Sequence, residues 1–345
     1  MSGSVYSTRT SFTALDGWAG DDHTAALRAF LNSKSHIGDD NLFVGAPDLG
    51  GIAERGSARA FFESRFEPFA ASADTPGYVT GYYEPELRGS RTQTLRYSVP
   101  VYGRPADLIT TIAETDRARH NEAVSGFRRT AEGAVPYYTR AEIEAGGLAA
   151  QRLEVLYTDD YVELFFMQVQ GSGLVHLDDG TSLRLTYAGK NGHPYTSIAR
   201  VLIDAGELAA DEIDMDVVKA WLRNDPARGR ALMQKNESYV FFSALSKSDA
   251  MEGPRGAEGV PLTPGRSLAV DPAYIPLGSP VFVTVPDLDD EDGAPFHSLM
   301  IAQDAGSAIQ GPQRGDIFFG TGVSAGAIAG HTRFAAQFHV LMRKR

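Results

Sequence analysis

The chain has 345 residues, 43% hydrophobic and 22% charged, the balance of a soluble globular protein long enough for two domains and needing no covalent staple. Its net charge of -12 argues against nucleic-acid binding through phosphate neutralisation, whereas a neutral glycan would not be repelled. The absence of cysteine excludes disulfides, thiolate metal sites and cysteine nucleophiles, and does not choose between cytoplasm and periplasm.

No run of about eighteen apolar residues is present, so no transmembrane helix is expected. The opening MSGSVYSTRTSF has neither the basic start nor the apolar core of a signal peptide, and no lipid-acceptor cysteine. It reads as an extended arm up to Gly20. Asp21 and Asp22 then precede a helix whose face carries Ala26, Leu27, Phe30 and Leu31. A second helix is predicted around Ser57 to Phe66, with Phe61, Phe62 and Phe66 as core.

The pattern changes at Gly77. GYVTGYYEPELRGS and TLRYSVPVYGRP read as neighbouring, paired strands, the second alternating Leu95, Tyr97, Val99 and Val101 with polar residues. Tyrosines such as Tyr83 on a half-buried strand can stack on sugar rings or simply fit a pleated surface. Thr139 to Glu142 is a capping box opening a short helix that Gly146 and Gly147 end. Tyr161 to Val169 is rich in strand formers, with Gln168, Gln170 and Ser172 at its polar end. A strand over Leu183 to Tyr187 leads into a glycine-punctuated loop holding Lys190, Asn191 and His193. Two helices follow, one capped by Ser197 and one with Val217, Val218, Trp221 and Leu222 on its core face and Pro226 beyond its end.

From Asn236 the chain returns to β character. YVFFSAL, SLAV and PVFVTV read as strands, with Asp271 at the end of SLAV. PDLDDEDGAP reads as a solvated acidic turn. In LMIAQDAGSAIQGPQRGDIFFGTG, Leu299 to Ile301 form a buried strand that Asp304 ends, and Asp316 opens another with Ile317, Phe318 and Phe319. Short strands with Gly/Pro turns at both ends of the chain predict one small β-barrel from residues 1–105 and 236–345, with a mixed domain inserted at 106–235.

Two carboxylates at strand ends joined by a glycine-rich turn can share a cleft, the equipment of glycoside and peptide chemistry. An aspartate there can equally cap its own turn. Apolar neighbours would desolvate Asp316 and raise its pKa toward what a general acid needs. No histidine pair has zinc-ligand helical spacing, no GxSxG or P-loop occurs, and GTGVSAG has the wrong spacing for a dinucleotide loop, so no metal or cofactor is expected. Asn236-Glu-Ser238 matches a glycosylation sequon, a frequent false positive. Asp304-Ala-Gly-Ser loosely echoes the turn of aspartic proteases, once only. A two-carboxylate glycoside hydrolase and a non-catalytic glycan-binding barrel also fit these residues.

Taken in order, GYYEPEL, YSVPVYGRP, FFMQVQGSG, YAGKNGHPYTSI, NESYVFF, GVPLTPGRSLAVDPAYIPLG and AQDAGSAIQGPQRGDIFFGTG resemble the membrane-bound lytic murein transglycosylase A family. The C-terminal part is similar to the three-aspartate domain of related cell-wall proteins, with Asp271, Asp304 and Asp316 as its aspartates. The resemblance implies a mainly β protein: a double-psi β-barrel, an inserted β-rich domain, a few peripheral helices and a glycan groove between the domains. It implies a peptidoglycan lytic exotransglycosylase that leaves 1,6-anhydromuramic acid ends, with Asp316 catalytic and Asp304 in support. Tyr83, Gln170, Lys190 and Asp271 are candidate substrate-binding residues beside them. Peptidoglycan strands would be the partner, other cell-wall enzymes further candidates, the protein a monomer, and the periplasmic face of the envelope its location. Two departures stand out: Ser307 where the family has a second glycine, and Gln310 where it has a lysine.

Overall fold

The computed structural model describes residues 6–47, 55–71, 76–289, 293 and 295–344. Among them the strands run, in chain order, β1 Tyr6–Arg9, β2 Phe66–Ala71, β3 Gly77–Glu84, β4 Glu86–Ser90, β5 Val99–Tyr102, β6 Phe127–Thr130, β7 Gly133–Pro136, β8 Glu154–Thr158, β9 Ser172–Leu177, β10 Ser182–Lys190, β11 Val240–Ala244, β12 Ser267–Val270, β13 Pro280–Asp289, β14 Pro295–Ala305, β15 Arg314–Thr321 and β16 Arg333–Arg343. Among the described residues no helix is long and apolar enough to cross a membrane.

The chain divides into two compact units, Met1–Tyr83 with Arg255–Arg345, and Glu84–Pro254. The first is a closed barrel. Its strands follow the order β16-β13-β14-β12-β15-β3, and β3 pairs back onto β16. β2 and β1 extend the sheet outward from β16. Inside the barrel, Val79, Leu268, Val270, Val281, Val283, Met300, Ala302, Ile317 and Phe338 form one cluster. Alternate residues of the same strands, Phe282, Leu299 and Ile301, face outward and are covered by Leu27 and Phe30 of helix His23–Asn32 and by Phe61 and Phe62 of helix Arg55–Arg65. Burial on both faces is why LMIA and VFV read as continuous apolar runs rather than alternating ones.

The second unit carries a six-stranded sheet in the order β11-β10-β9-β4-β8-β5 and the hairpin β6-β7. Leu164 and Met167 of helix Tyr161–Gln170 pack on the sheet cluster of Leu87, Val101, Leu156, Val175 and Phe242. Val162, Phe165 and Phe166 of that helix meet Leu202, Val218, Leu222 and Met233.

Several expectations change. The seams lie at Glu84 and Pro254, not at 105 and 236, because β4 and β5 both pair with β8 and β11 pairs with β10. For the same reason the two runs after Gly77 are not paired: β3 belongs to the barrel and β5 to the other sheet, where only Val99–Tyr102 is strand. Leu95 is fully exposed. Tyr161–Gln170 is a helix, not a strand. Asp160 caps it by accepting from Val162 N and Glu163 N, and Gly171 ends it in the left-handed region that an L side chain avoids. Pro226 follows helix Met215–Asn224 as expected, and it also starts another, Pro226–Gln234. GTGVSAG runs into helix Val323–His331. Of the expected acidic turn, Asp287 to Asp289 belong to β13, while Asp290, Glu291 and Asp292 lie outside the described residues.

Candidate active site

Strand alternation builds the site. With Val79, Leu268 and Ile317 turned into the barrel, their neighbours Thr80 and Tyr82 on β3, Ala269 on β12, and Asp316 and Phe318 on β15 face outward. Ala269 stands opposite Asp316 on one side and opposite Asp304 of β14 on the other. On the β14 side Leu268 pairs with Ala302 but Ala269 with Asp304, so Gln303 is an extra residue. That bulge re-aims Asp304 onto the face of Asp316. Two strand spacings separate the two aspartate backbones, roughly 10 Å. Asp316 therefore does not open its strand but sits inside it, and Asp304 lies one residue before the end of β14.

The two carboxyls are solvated differently. Asp304 Oδ1 accepts from Ala257 N and Ala305 N, both at 2.8 Å, and its Oδ2 accepts from Tyr82 Oη at 2.8 Å. Burial raises the Asp304 pKa, and these three donors oppose the rise. Asp316 Oδ1 accepts from Thr80 Oγ1 at 2.6 Å, and Thr80 Oγ1 accepts from Arg314 Nη2 at 2.8 Å. Burial pushes Asp316 up to about 6. The Thr80 bond and the Arg314 charge pull it down, and the Asp304 charge pushes it up. Both aspartates are half-buried. Burial also holds the Tyr82 phenol well above its ordinary value, so it keeps the proton it donates to Asp304. The Tyr82 ring packs on Phe318 with centroids 5.2 Å apart, the apolar wall that desolvates Asp316.

The remaining expected residues stand elsewhere. Asp271 Oδ1 accepts from Ala273 N at 3.0 Å and its Oδ2 from Gly311 N at 2.8 Å, so it ties two loops together through backbone donors. Tyr83, opposite in parity to Tyr82, is buried with its ring over Gly326, where an added Cβ would come within 2.8 Å of it. Gln170 and Lys190 belong to the other unit. Gln170 is the half-buried last residue of helix Tyr161–Gln170, and Lys190 is the half-buried end of β10, its pKa lowered by desolvation. Sequence reasoning passed over Thr80, Tyr82 and Arg314 as site residues. Period-two counting along VTGYYE from the inward Val79 would have found Thr80 and Tyr82. The sequon residue Asn236 is buried, its Oδ1 accepting from Thr196 N and Ser238 N. Among the described residues no group of three or more acidic or histidine side chains could hold a metal ion.

Comparison with known proteins adds to this geometry. Residues 78–243 match the family described as the MltA specific insert domain, and residues 266–342 match the 3D domain. The membrane-bound lytic murein transglycosylase A of Vibrio cholerae is 36% identical over 259 residues, 73% of this chain and 61% of that protein. The chain thus spans less than two thirds of that curated relative's length. Among solved structures, the membrane-bound lytic murein transglycosylase from Agrobacterium tumefaciens superposes with a TM-score of 0.87 at 34% identity, covering 97% of each chain. A structure of Escherichia coli MltA with bound chitohexaose superposes with a TM-score of 0.72 at 28% identity, covering 94% of this chain and 90% of that one.

Proposed function

The chain belongs to the membrane-bound lytic murein transglycosylase A family, and from that premise we propose that it cleaves the β-1,4 bond between N-acetylmuramic acid and N-acetylglucosamine in peptidoglycan, with Asp316 as the only proton-transfer group. The observation that carries this reading is the contrast between the two aspartates. Asp304 has donors on both oxygens, which hold its carboxyl in place and oppose the rise that burial gives its pKa. Asp316 is held near 6 and takes a single hydrogen bond from Thr80, the environment of an acid that works close to neutral pH.

Neutral Asp316 gives its proton to the glycosidic oxygen as the bond from C1 breaks and positive charge develops on the muramic ring. The Asp316 carboxylate then takes the proton of the ring's own C6 hydroxyl while that oxygen bonds to C1, which closes the 1,6-anhydro ring. One proton leaves and one returns, and no water is consumed. The nucleophile is tethered to the electrophile, so effective molarity replaces the second catalytic carboxylate of ordinary glycosidases. Asp304, whose carboxyl is fixed by its three donors, is the proposed supporting group beside the developing cation. The bound chitohexaose of the E. coli relative is a β-1,4-linked N-acetylglucosamine chain, the same backbone linkage as the proposed substrate. Gln170 and Lys190 are the proposed saccharide-binding residues of the Glu84–Pro254 unit. Peptidoglycan lies in the envelope, and the relatives' membrane-bound designation agrees with work there.

Mass spectrometry of digested glycan strands tests the proposal. Anhydro ends are expected; products heavier by one water would make the protein a hydrolase, and no release at all would make it a binding module. Asp316→Asn is expected to abolish cleavage, a loss of at least about 1,000-fold for removal of the only proton-transfer group, while folding and glycan binding persist. Turnover at the wild-type rate by that variant would overturn the assignment of Asp316.

A further inference from the structure

We propose that Arg314 and Thr80 decide which oxygen of Asp316 handles the proton: Thr80 is a positioning residue that reserves Oδ1 as a permanent acceptor, leaving Oδ2 to protonate the leaving oxygen and later to deprotonate the sugar hydroxyl. The inference rests on the transglycosylase reading of Asp316 and adds a direction to it.

A guanidinium has donors and no acceptor. Arg314 Nη2 donates to Thr80 Oγ1 at 2.8 Å. The Arg314 head is itself fixed, with Nη1 donating to the Gly315 carbonyl and the guanidinium lying over the Tyr78 ring, 5.5 Å from its centroid. The hydroxyl therefore has a lone pair committed to Arg314, and its one hydrogen lies on the 2.6 Å contact with Asp316 Oδ1. Among the described residues no hydrogen bond reaches Oδ2. A proton placed on Oδ1 would oblige Thr80 to accept twice and turn its own hydrogen away from the carboxyl. With the proton on Oδ2, Oδ1 accepts from Thr80 in the acid state and in the carboxylate state alike. The relay needs no rearrangement between the two proton transfers, which is the economy of a preorganised site. The two strands involved fix the geometry: Thr80 is on β3, Arg314 and Asp316 are on β15, and those strands are neighbours in the barrel.

The test combines a titration with kinetics on the full chain. Aspartate labelled with carbon-13 at the carboxyl lets NMR follow Asp316, its resonance assigned by its loss in Asp316→Asn. In Thr80→Val the donor to Oδ1 disappears, and the Asp316 titration is expected to move up by about one pH unit, with kcat for anhydro-end release falling about ten-fold and KM little changed. Thr80→Ser keeps the hydroxyl and is expected to restore both. Arg314→Met leaves Thr80 in place but frees it to turn, and kcat is expected to fall there too. An unmoved titration or unchanged kcat in Thr80→Val overturns the relay, as do a Thr80→Ser variant as damaged as Thr80→Val and an unaffected Arg314→Met. A wild-type protein that releases no anhydro ends overturns the lytic reading instead, and is told apart because the titration needs no turnover.

Discussion

At the scale of single residues, the elevated Asp316 carboxyl is a statement about stability as well as chemistry. Its pKa rises from 3.8 to about 6 on folding, so the folded state holds a proton that the unfolded chain has already released. Between those values the unfolded chain binds fewer protons, and stability must fall as pH rises. The favourable contribution is complete below the unfolded value and is lost as pH passes through about 6. Asp316→Asn mimics the protonated form at every pH. It should match the wild type near pH 4 and exceed it by about 1–3 kcal/mol at pH 8, the lower end reflecting the half-buried position of the residue. Urea midpoints at the two pH values measure the difference, and a variant no more stable than the wild type at pH 8 contradicts the desolvation account. The same residue shows what the sequence could reveal. Ile317 and Phe318 beside Asp316 announced desolvation. Nothing local announced Asp304 as its neighbour on one face, because that needs the bulge at Gln303 and the intervening β12.

At the scale of elements, the misread segment is the instructive one. VELFFMQV is apolar nearly all round, because helix Tyr161–Gln170 is sandwiched between the sheet cluster and the helical cluster and lacks a polar face to set a 3.6-residue rhythm. Its β-branched and aromatic content then mimics a strand. The available signal was the cap: Asp160 before the run with Glu163 three residues on, and Gly171 after it. Gln168, read as the polar end of a strand, is buried and accepts from Arg140 Nη1 at 2.6 Å. Arg140 also donates to the carbonyls of Asn236 and Ser238, so the buried cation is fully engaged. Removing the cap isolates its contribution. Asp160→Ala leaves Val162 N and Glu163 N without their acceptor and breaks the ion pair to Arg223, whose exposed guanidinium adds little. A loss of about 1–2 kcal/mol is expected, read from urea unfolding, and an unchanged midpoint would show that packing alone holds the helix.

At the scale of the whole molecule, the order of the chain makes the two units unequal. The Glu84–Pro254 unit is one continuous segment with its own sheet, helices and buried clusters. The barrel unit is made from two segments, and β16, close to the last residue, pairs with β2 and β3 from the first segment and with β13 from the second. The insertion was legible as a change of character along the chain, while the seams were not, since Glu84 and Pro85 continue the strand pattern of β3 into β4. Barrel closure must await the last strand and bring together residues far apart in sequence, a slow, high-contact-order step. The continuous unit needs no such event. Expressed alone, residues 84–254 should therefore fold, giving a cooperative thermal transition in circular dichroism with intact near-ultraviolet signal. Residues 255–345 alone should give neither, because β16 would lack β2 and β3. A fragment 84–254 with helical far-ultraviolet signal but no cooperative melt would show that its buried clusters do not suffice for a native state.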